Sequence, residues 1–277
     1  MDLIQSRDSY EPGPGYLARA VARKRAEVAE NARRTSEGRL REMTGRARPP
    51  RPWAEALKGD GIVVIAEIKR RSPSAGSLDP DVDPVTRAKV YAEHGASAVS
   101  VLTDGDFGGE LEDLERVARA IDLPVLRKDF LVDPWQVWES RAAGADAALV
   151  IVAALEEREL AALASTAREA GVGLLVEIHD PEEIPRALAL DPEVVGVNAR
   201  DLETLETDTD RACRTIAALR REAAEIVVVA ESGVSSSADV RRARESGADA
   251  VLVGEALMRA EDPGRRLAEL VAAGAAW

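Results

Sequence analysis

Eight short runs of β-branched and aliphatic residues, each followed by a stretch with helical apolar spacing, constrain the fold of this 277-residue chain more than any other feature. The runs are IVVIAEI from Ile62, AVSVLT from Ala98, PVLRKD from Pro124, AALVIVA from Ala147, LLVEIH from Leu174, VVGVNA from Val194, IVVVAES from Ile226 and AVLVGEA from Ala250. Their starts are 20 to 36 residues apart, room for one crossover helix each. The segments LEDLERVARAI, DPWQVWESRAAG, EERELAALASTAREAG and SADVRRARESG fill that room with apolar residues at helical spacing and stop at a glycine or a turn. The echo HGASAVSVL, AGADAALVI and SGADAVLVG repeats the helix-to-strand passage. Near-continuous aliphatic runs fit strands covered on both faces. Eight units over some 215 residues predict a single α/β (β/α)8 TIM barrel over residues 58–277, with residues 1–57 as a helical extension. The rival, a doubly wound open sheet, lacks its glycine-rich fingerprint after the first run, where EIKRRSPSAG stands.

Charge narrows the partners. Fifty acidic and 37 basic side chains give a net charge of -13, which disfavours nucleic-acid and membrane partners. Cys213 is alone and there are two histidines, so a zinc cage and an intrachain disulfide are not expected. No apolar stretch approaches the roughly 20 residues of a membrane span, and MDLIQSRDSYEPGPG lacks a signal peptide's apolar core, so a cytoplasmic location is expected. Residues 1–61 hold 13 basic and 9 acidic groups, the remainder 24 and 41. A nucleic-acid arm is one reading of that asymmetry, but the interleaved Glu27, Glu30, Glu37 and Glu42 and the helical apolar spacing predict a basic helix docked on an acidic body.

In a barrel of this kind the active site lies where the strands run out, and there the polar residues gather. The first strand ends in Glu67 and Lys69, the second in Thr103 and Asp104, the third in Lys128 and Asp129. The fifth ends in Glu177 and His179, the sixth in Asn198 and Arg200, the seventh in Glu231 and Ser232. Any one of these could merely cap the barrel with a salt bridge; six strands contributing together argue for a site. Arginines outnumber lysines 32 to five, yet Lys69 and Lys128 both fall at strand ends. Lysine can release a proton where arginine cannot, so Lys128 reads as a proton donor or compact charge, with a buried ion pair as the plainer alternative. Gly233 and Gly254 stand at the last two strand exits before helices, the usual place for phosphate. Both phenylalanines, Phe107 and Phe130, follow the second and third strands, where an apolar wall for a flat ring is one reading and core packing the other.

The stretches IAEIKRRSPS, SVLT followed by FGG, PVLRKDFLVDPWQ, LLVEIHD, GVNARDLETLE, VVAESGV and VLVGEALM resemble the indole-3-glycerol phosphate synthase family of tryptophan biosynthesis. The resemblance implies conversion of 1-(2-carboxyphenylamino)-1-deoxyribulose 5-phosphate to indole-3-glycerol phosphate, with loss of carbon dioxide and water and no cofactor or metal. It also implies an amino-terminal extension across the barrel mouth. By motif, Lys128 would be the general acid of ring closure, and Glu177 the base or proton shuttle of dehydration, with Lys69 assisting. Glu67 would hydrogen-bond and orient the lysines, Asn198 would meet the anilino nitrogen, and Glu231 and Ser232 the ring system and carboxylate. Ser72, Arg200, Gly233 and Gly254 fall at positions associated with anion binding. The sequence departs from the family at TDGDFGGE, which is shorter than usual and ends in Glu110, and at Leu205 and Glu255; the last is expected to turn away from a bound phosphate. Two other readings stay open: a phosphoribosyl isomerase, which would use an acid–base pair at strands one and seven instead of Lys128, and a barrel serving as a scaffold. Association with other enzymes of tryptophan biosynthesis is left open by the sequence.

Overall fold

The computed structural model describes residues 15–73 and 76–275; residues 1–14 of the expected extension lie outside the described residues. Three helices, α1 (Tyr16–Arg34), α2 (Glu37–Thr44) and α3 (Trp53–Ala56), precede the first strand, β1 (Val63–Ile68). After β1 a short hairpin pairs Arg71–Ser72 with Gly76–Ser77. The chain then alternates α4 (Pro84–Glu93), β2 (Ala98–Leu102), α5 (Leu111–Ala120), β3 (Val125–Lys128), α6 (Pro134–Ala142), β4 (Ala147–Ile151), α7 (Glu157–Ala170) and β5 (Gly173–Ile178). It continues with α8 (Ile184–Leu188), β6 (Val194–Asn198), α9 (Thr209–Glu222), β7 (Val227–Glu231), α10 (Ser237–Ser246), β8 (Ala250–Val253), α11 (Glu255–Met258) and α12 (Pro263–Gly274). All eight long strands are parallel and close into a barrel, as the aliphatic runs predict. Gly95, Gly144 and Gly247, the glycines of the sequence echo, each take a left-handed conformation between helix and strand, which explains why the echo keeps a glycine there.

Alternation along each strand divides the core in two. Val64, Ala66, Val99, Val101, Val176 and their like face the surrounding helices, whereas Ile65, Leu126, Leu149, Leu175, Val229 and Leu252 fill the barrel interior. The interior cluster also takes residues from the extension, at both ends. Leu17 and Ala20 of α1 join it at the mouth, and Trp53, Ala54 and Leu57 close the floor, where Trp53 packs against the backbone of Gly173 so tightly that a Cβ there would lie 2.9 Å from its ring. The extension therefore does more than cross the mouth. It runs down the outside, with Arg25 paired to Glu159 at 2.9 Å and Trp135 Nε1 donating to the Thr35 carbonyl at 2.8 Å, and then turns beneath the barrel. At the floor Arg48 and Arg51 bind the buried Asp146 carboxylate at 2.9 and 3.1 Å, and Asp146 in turn accepts the Val125 N–H.

Trp53 is 4% exposed, and its loss would leave the floor open. We expect Trp53→Ala to lower stability by about 3–5 kcal/mol in urea unfolding; a loss under about 1 kcal/mol would mean the floor is closed by other groups.

Candidate active site

The strand register fixes which side chains meet. Glu67 on β1 is level with Ser100 on β2, and Ser100 with Leu126 on β3. Strand tilt in such a barrel lifts each layer by two residues for every two strands, so Glu67 shares its layer with Lys128. The same step leads from Lys128 through Leu149 and Leu175 to Glu177, from Glu177 through Gly196 and Val229 to Glu231, and from Glu231 through Leu252 and Ile65 back to Glu67. Below this layer lie Ile65, Leu126, Leu175 and Val229, all apolar. The uppermost layer from the odd-numbered strands is thus three glutamates and one lysine. The next layer up, from the even-numbered strands, is Leu102, Ile151, Asn198 and Gly254, and both layers line a cavity of about 1000 Å3 including its open mouth.

Within the layer the Lys128 ammonium donates to Glu177 Oε2 at 3.1 Å and lies 3.4 Å from Glu231 Oε2. Asn198 Nδ2 donates to the other Glu177 oxygen at 3.1 Å, while Asn198 Oδ1 accepts from Ser232 Oγ at 2.7 Å and from the Arg200 N–H at 3.0 Å. Glu67 Oε1 accepts from Lys69 Nζ at 2.6 Å. Here the structure corrects one expectation: among the described residues Glu67 hydrogen-bonds Lys69 and not Lys128. Lys128 stands on a strand two places away and reaches across the barrel to β5 and β7, so Glu67 acts on it only through its charge. Burial works against the Lys128 charge, but Glu177, Glu231 and Glu67 outweigh it and hold its pKa above lysine's ordinary value. Burial likewise opposes the Glu177 charge, and Lys128, His179 and the Asn198 hydrogen bond overcome it, leaving its pKa below the usual value. Glu231 goes the other way. Burial raises it, Lys128 opposes, and the neighbouring Glu177 and Glu67 charges add to the rise, pushing it up to about 8. Neither Glu231 oxygen accepts a hydrogen bond among the described residues, the Lys128 ammonium standing only at ion-pair distance; as an acid Glu231 can donate to Glu177.

Two glycines make this layer possible. A Cβ on Gly196 would lie 2.0 Å from Glu231 Oε1, and one on Gly254 would lie 2.3 Å from Glu67 Oε1 and 2.9 Å from Lys69 Nζ. Gly254 thus has a steric reason to be glycine in addition to the expected anion role. Gly233 has φ +75°, with Thr209 Cγ2 2.6 Å from where a Cβ would stand, and Ser232 before it takes φ +63°, an unusual conformation that turns its hydroxyl onto Asn198.

The thirteen residues given catalytic or binding roles from the sequence line one cavity: Glu67, Lys69, Ser72, Phe107, Lys128, Phe130, Glu177, Asn198, Arg200, Glu231, Ser232, Gly233 and Gly254; of the other strand-end polar residues, Asp104 and Asp129 line it and Thr103 and His179 do not. Phe107 and Phe130 face it with Leu149 and Ile151, and Tyr16 of α1 stacks edge-on against Phe130 with ring centroids 6.2 Å apart. Of the departures, Leu205 and Glu255 line the cavity. Glu110 is exposed and does not line the cavity, Glu255 pairs with Arg259 at 3.0 Å, and the Leu205 carbonyl accepts from Arg200 Nη1 at 2.8 Å. Sequence reasoning missed Tyr16, Gly196 and Lys24, and it did not join Asp104 and Asp129, which it placed at strand ends, to that lysine. The scarcity of lysine was a signal for Lys24, one of only five; nothing local distinguished Gly196.

An acid–base cluster at the carboxyl ends of the strands, beside an apolar wall, defines a (β/α)8-barrel enzyme. The model of the indole-3-glycerol phosphate synthases matches residues 17–270, and the chain belongs to that family. Indole-3-glycerol phosphate synthase 1 of Streptomyces coelicolor is 47% identical over 251 residues, spanning 90% of this chain and 92% of that protein. The enzyme of Kineococcus radiotolerans is 49% identical over 258 residues, 91% of this chain and 93% of its own. Among solved structures, a 3-hexulose-6-phosphate synthase aligns with a TM-score of 0.63 and 20% identity over 77% of this chain and 100% of that one. A thiamine phosphate pyrophosphorylase from Pyrococcus furiosus aligns with a TM-score of 0.57 and 19% identity, over 80% and 97%. At those identities the likeness concerns the fold. No helix among the described residues is long and apolar enough to cross a membrane.

Because the Glu231 pKa is raised, the folded protein holds a proton that the unfolded chain releases near pH 4.5, and its ionisation opposes folding as pH rises towards about 8. Replacing it with a neutral isostere removes that penalty. The stability of Glu231→Gln relative to the parent should therefore increase between pH 5 and pH 9 in paired thermal melts, and a gap that does not change with pH would contradict the raised value.

Proposed function

We propose that the chain closes the indole ring of 1-(2-carboxyphenylamino)-1-deoxyribulose 5-phosphate, releasing carbon dioxide and water to give indole-3-glycerol phosphate. The observation that carries this reading is the Lys128 ammonium, hydrogen-bonded to Glu177 and beside Glu231, at the base of a cavity walled by both phenylalanines. In ring closure the aromatic carbon bearing the carboxylate attacks the ketone carbon, and the ketone oxygen takes a proton from Lys128. Its raised pKa keeps Lys128 protonated until an alkoxide, a stronger base than its carboxylate neighbours, develops beside it. Carbon dioxide then leaves from the same aromatic carbon, and the electron pair of that bond restores the ring's aromaticity. In dehydration the new hydroxyl departs as water after gaining a proton, and a proton leaves the carbon next to nitrogen. Glu177, an anion in this environment, is the base, and Lys69 is the cation that assists departure.

The remaining residues bind. Asn198 and Ser232 are linked at 2.7 Å and face the anilino nitrogen and the substrate carboxylate, with Glu231 beside them able to donate a hydrogen bond. Ser72, Arg200 and the backbone at Gly233 and Gly254 take the phosphate. Phe107 and Phe130 flank the aromatic ring. No cofactor, nucleic acid or membrane enters this reading, and the location it implies is cytoplasmic. The phosphoribosyl isomerase alternative gives Lys128 no task, although it is the only cation in the layer.

The purified chain, mixed with the carboxyphenylamino-deoxyribulose phosphate, should generate indole fluorescence; no signal above buffer at high protein concentration would overturn the assignment. Lys128→Arg keeps the charge but withholds the proton, and should lower kcat by at least roughly 10²-fold. Near-normal turnover would show that the position supplies charge alone.

A further inference from the structure

Lys24 belongs to α1 and is 6% exposed; it does not itself line the cavity, but the two aspartates that its ammonium meets do. Its Nζ lies 2.8 Å from Asp104 Oδ2 and 3.0 Å from Asp129 Oδ1, with Glu27 of its own helix at 2.9 Å. Asp104 follows β2 and Asp129 follows β3, so one ammonium ties together two strand ends from a third element. Each aspartate in turn shapes the loop that carries a phenylalanine. Asp104 Oδ1 accepts the Asp106 N–H at 2.9 Å and opens the turn Gly105–Phe107. Asp129 Oδ1, the oxygen that Lys24 contacts, accepts the Phe130 N–H at 2.8 Å. Asp129 also immediately follows Lys128 in sequence, and its second oxygen is held by Thr103 Oγ1 at 2.6 Å and Arg127 Nη2 at 3.0 Å.

Fastening the extension does not by itself require this arrangement. The extension is already anchored at the opposite end of the barrel by Arg48 and Arg51 on Asp146, and along its side by Arg25 on Glu159. Lys24 instead places a buried cation between two buried aspartates, a combination that is costly unless its geometry is kept. Arg23, alongside, also reaches Asp104 at 2.9 Å, but it is a third exposed, so it does not substitute for the buried contact to Asp129.

We propose that Lys24 is a positioning residue for ring closure, which holds Lys128 and the two phenylalanines at the spacing the flat substrate ring needs by fastening Asp104 to Asp129. The proposal rests on the function proposed above. Displacement of reacting groups by about 1 Å can cost roughly 10²-fold in rate, so the effect belongs in kcat as well as in KM.

The test is the steady-state assay of the full chain, run alongside thermal melts, on Lys24→Met, Lys24→Arg and Arg51→Met. The double variant Lys24→Met with Asp104→Asn removes one charge of each sign and keeps the fold if Lys24→Met alone does not. We expect Arg51→Met, which breaks a buried ion pair at the floor, to lose thermal stability and keep kcat within about twofold. Lys24→Met, or the double variant, should lose roughly 10- to 100-fold in kcat at a temperature where it is fully folded, and Lys24→Arg should recover part of that loss. If kcat and KM stay at parental values, or if Arg51→Met loses as much activity as Lys24→Met, the proposal is overturned while the function stands. A parent protein that makes no indole product would overturn both.

Discussion

The site depends on one ammonium surrounded by carboxylates within a layer of the barrel. Lys128 touches Glu177 and Glu231 and feels Glu67 across the interior, and each of the four comes from a different odd-numbered strand. A buried cation without these partners would lose its proton; three buried carboxylates without the cation would repel one another. Closure of the sheet is what brings them together, because in an open sheet β1 and β8 would not be adjacent and the layer would be broken. The glycines in neighbouring strands follow from the same constraint, since Gly196 and Gly254 leave the space that Glu231, Glu67 and Lys69 occupy.

The surrounding charges divide the protonation states. Glu177, with a lysine and an amide donating to it, is held as an anion, while burial and like charges push the pKa of Glu231 up to about 8. Two identical side chains in one layer thus differ in protonation at neutral pH because of what lies next to each. The extension contributes at both ends of the barrel, plugging the floor with Trp53 and Leu57 and meeting the mouth with Tyr16, Leu17 and Lys24. Stability and site geometry are therefore linked through residues that precede the first strand.

Much of this was legible in the residues. Aliphatic runs at crossover spacing gave the strands to within a residue at each start, because strands covered on both faces must be apolar throughout. Polar residues interrupting those runs at their carboxyl ends marked the cavity lining, and scarce lysines pointed to Lys69 and Lys128. Pairing was less legible. Glu67 and Lys69 are two residues apart on one face and were correctly joined, but Lys128 meets Glu177 from 49 positions away, and only the barrel's shear decides which strands face each other. Lys24 lies 80 positions before Asp104 in a helix whose other charges are mostly solvated, so apart from the scarcity of lysine nothing announced a buried contact. Net charge of -13 was silent about the site, where the excess negative charge of the chain is locally balanced by Lys69 and Lys128.

The central claim is that carboxylates outweigh burial at Lys128 and keep it a charged acid throughout the working range. Nitrogen-15 NMR of the lysine side chains tests it directly, because five lysines give few signals and Lys128→Arg identifies the one of interest. The account predicts that the Lys128 signal stays that of an ammonium on titration past the ordinary lysine value of about 10.4. A midpoint below that value would mean that desolvation dominates, and the proton donor would have to be sought elsewhere in the layer.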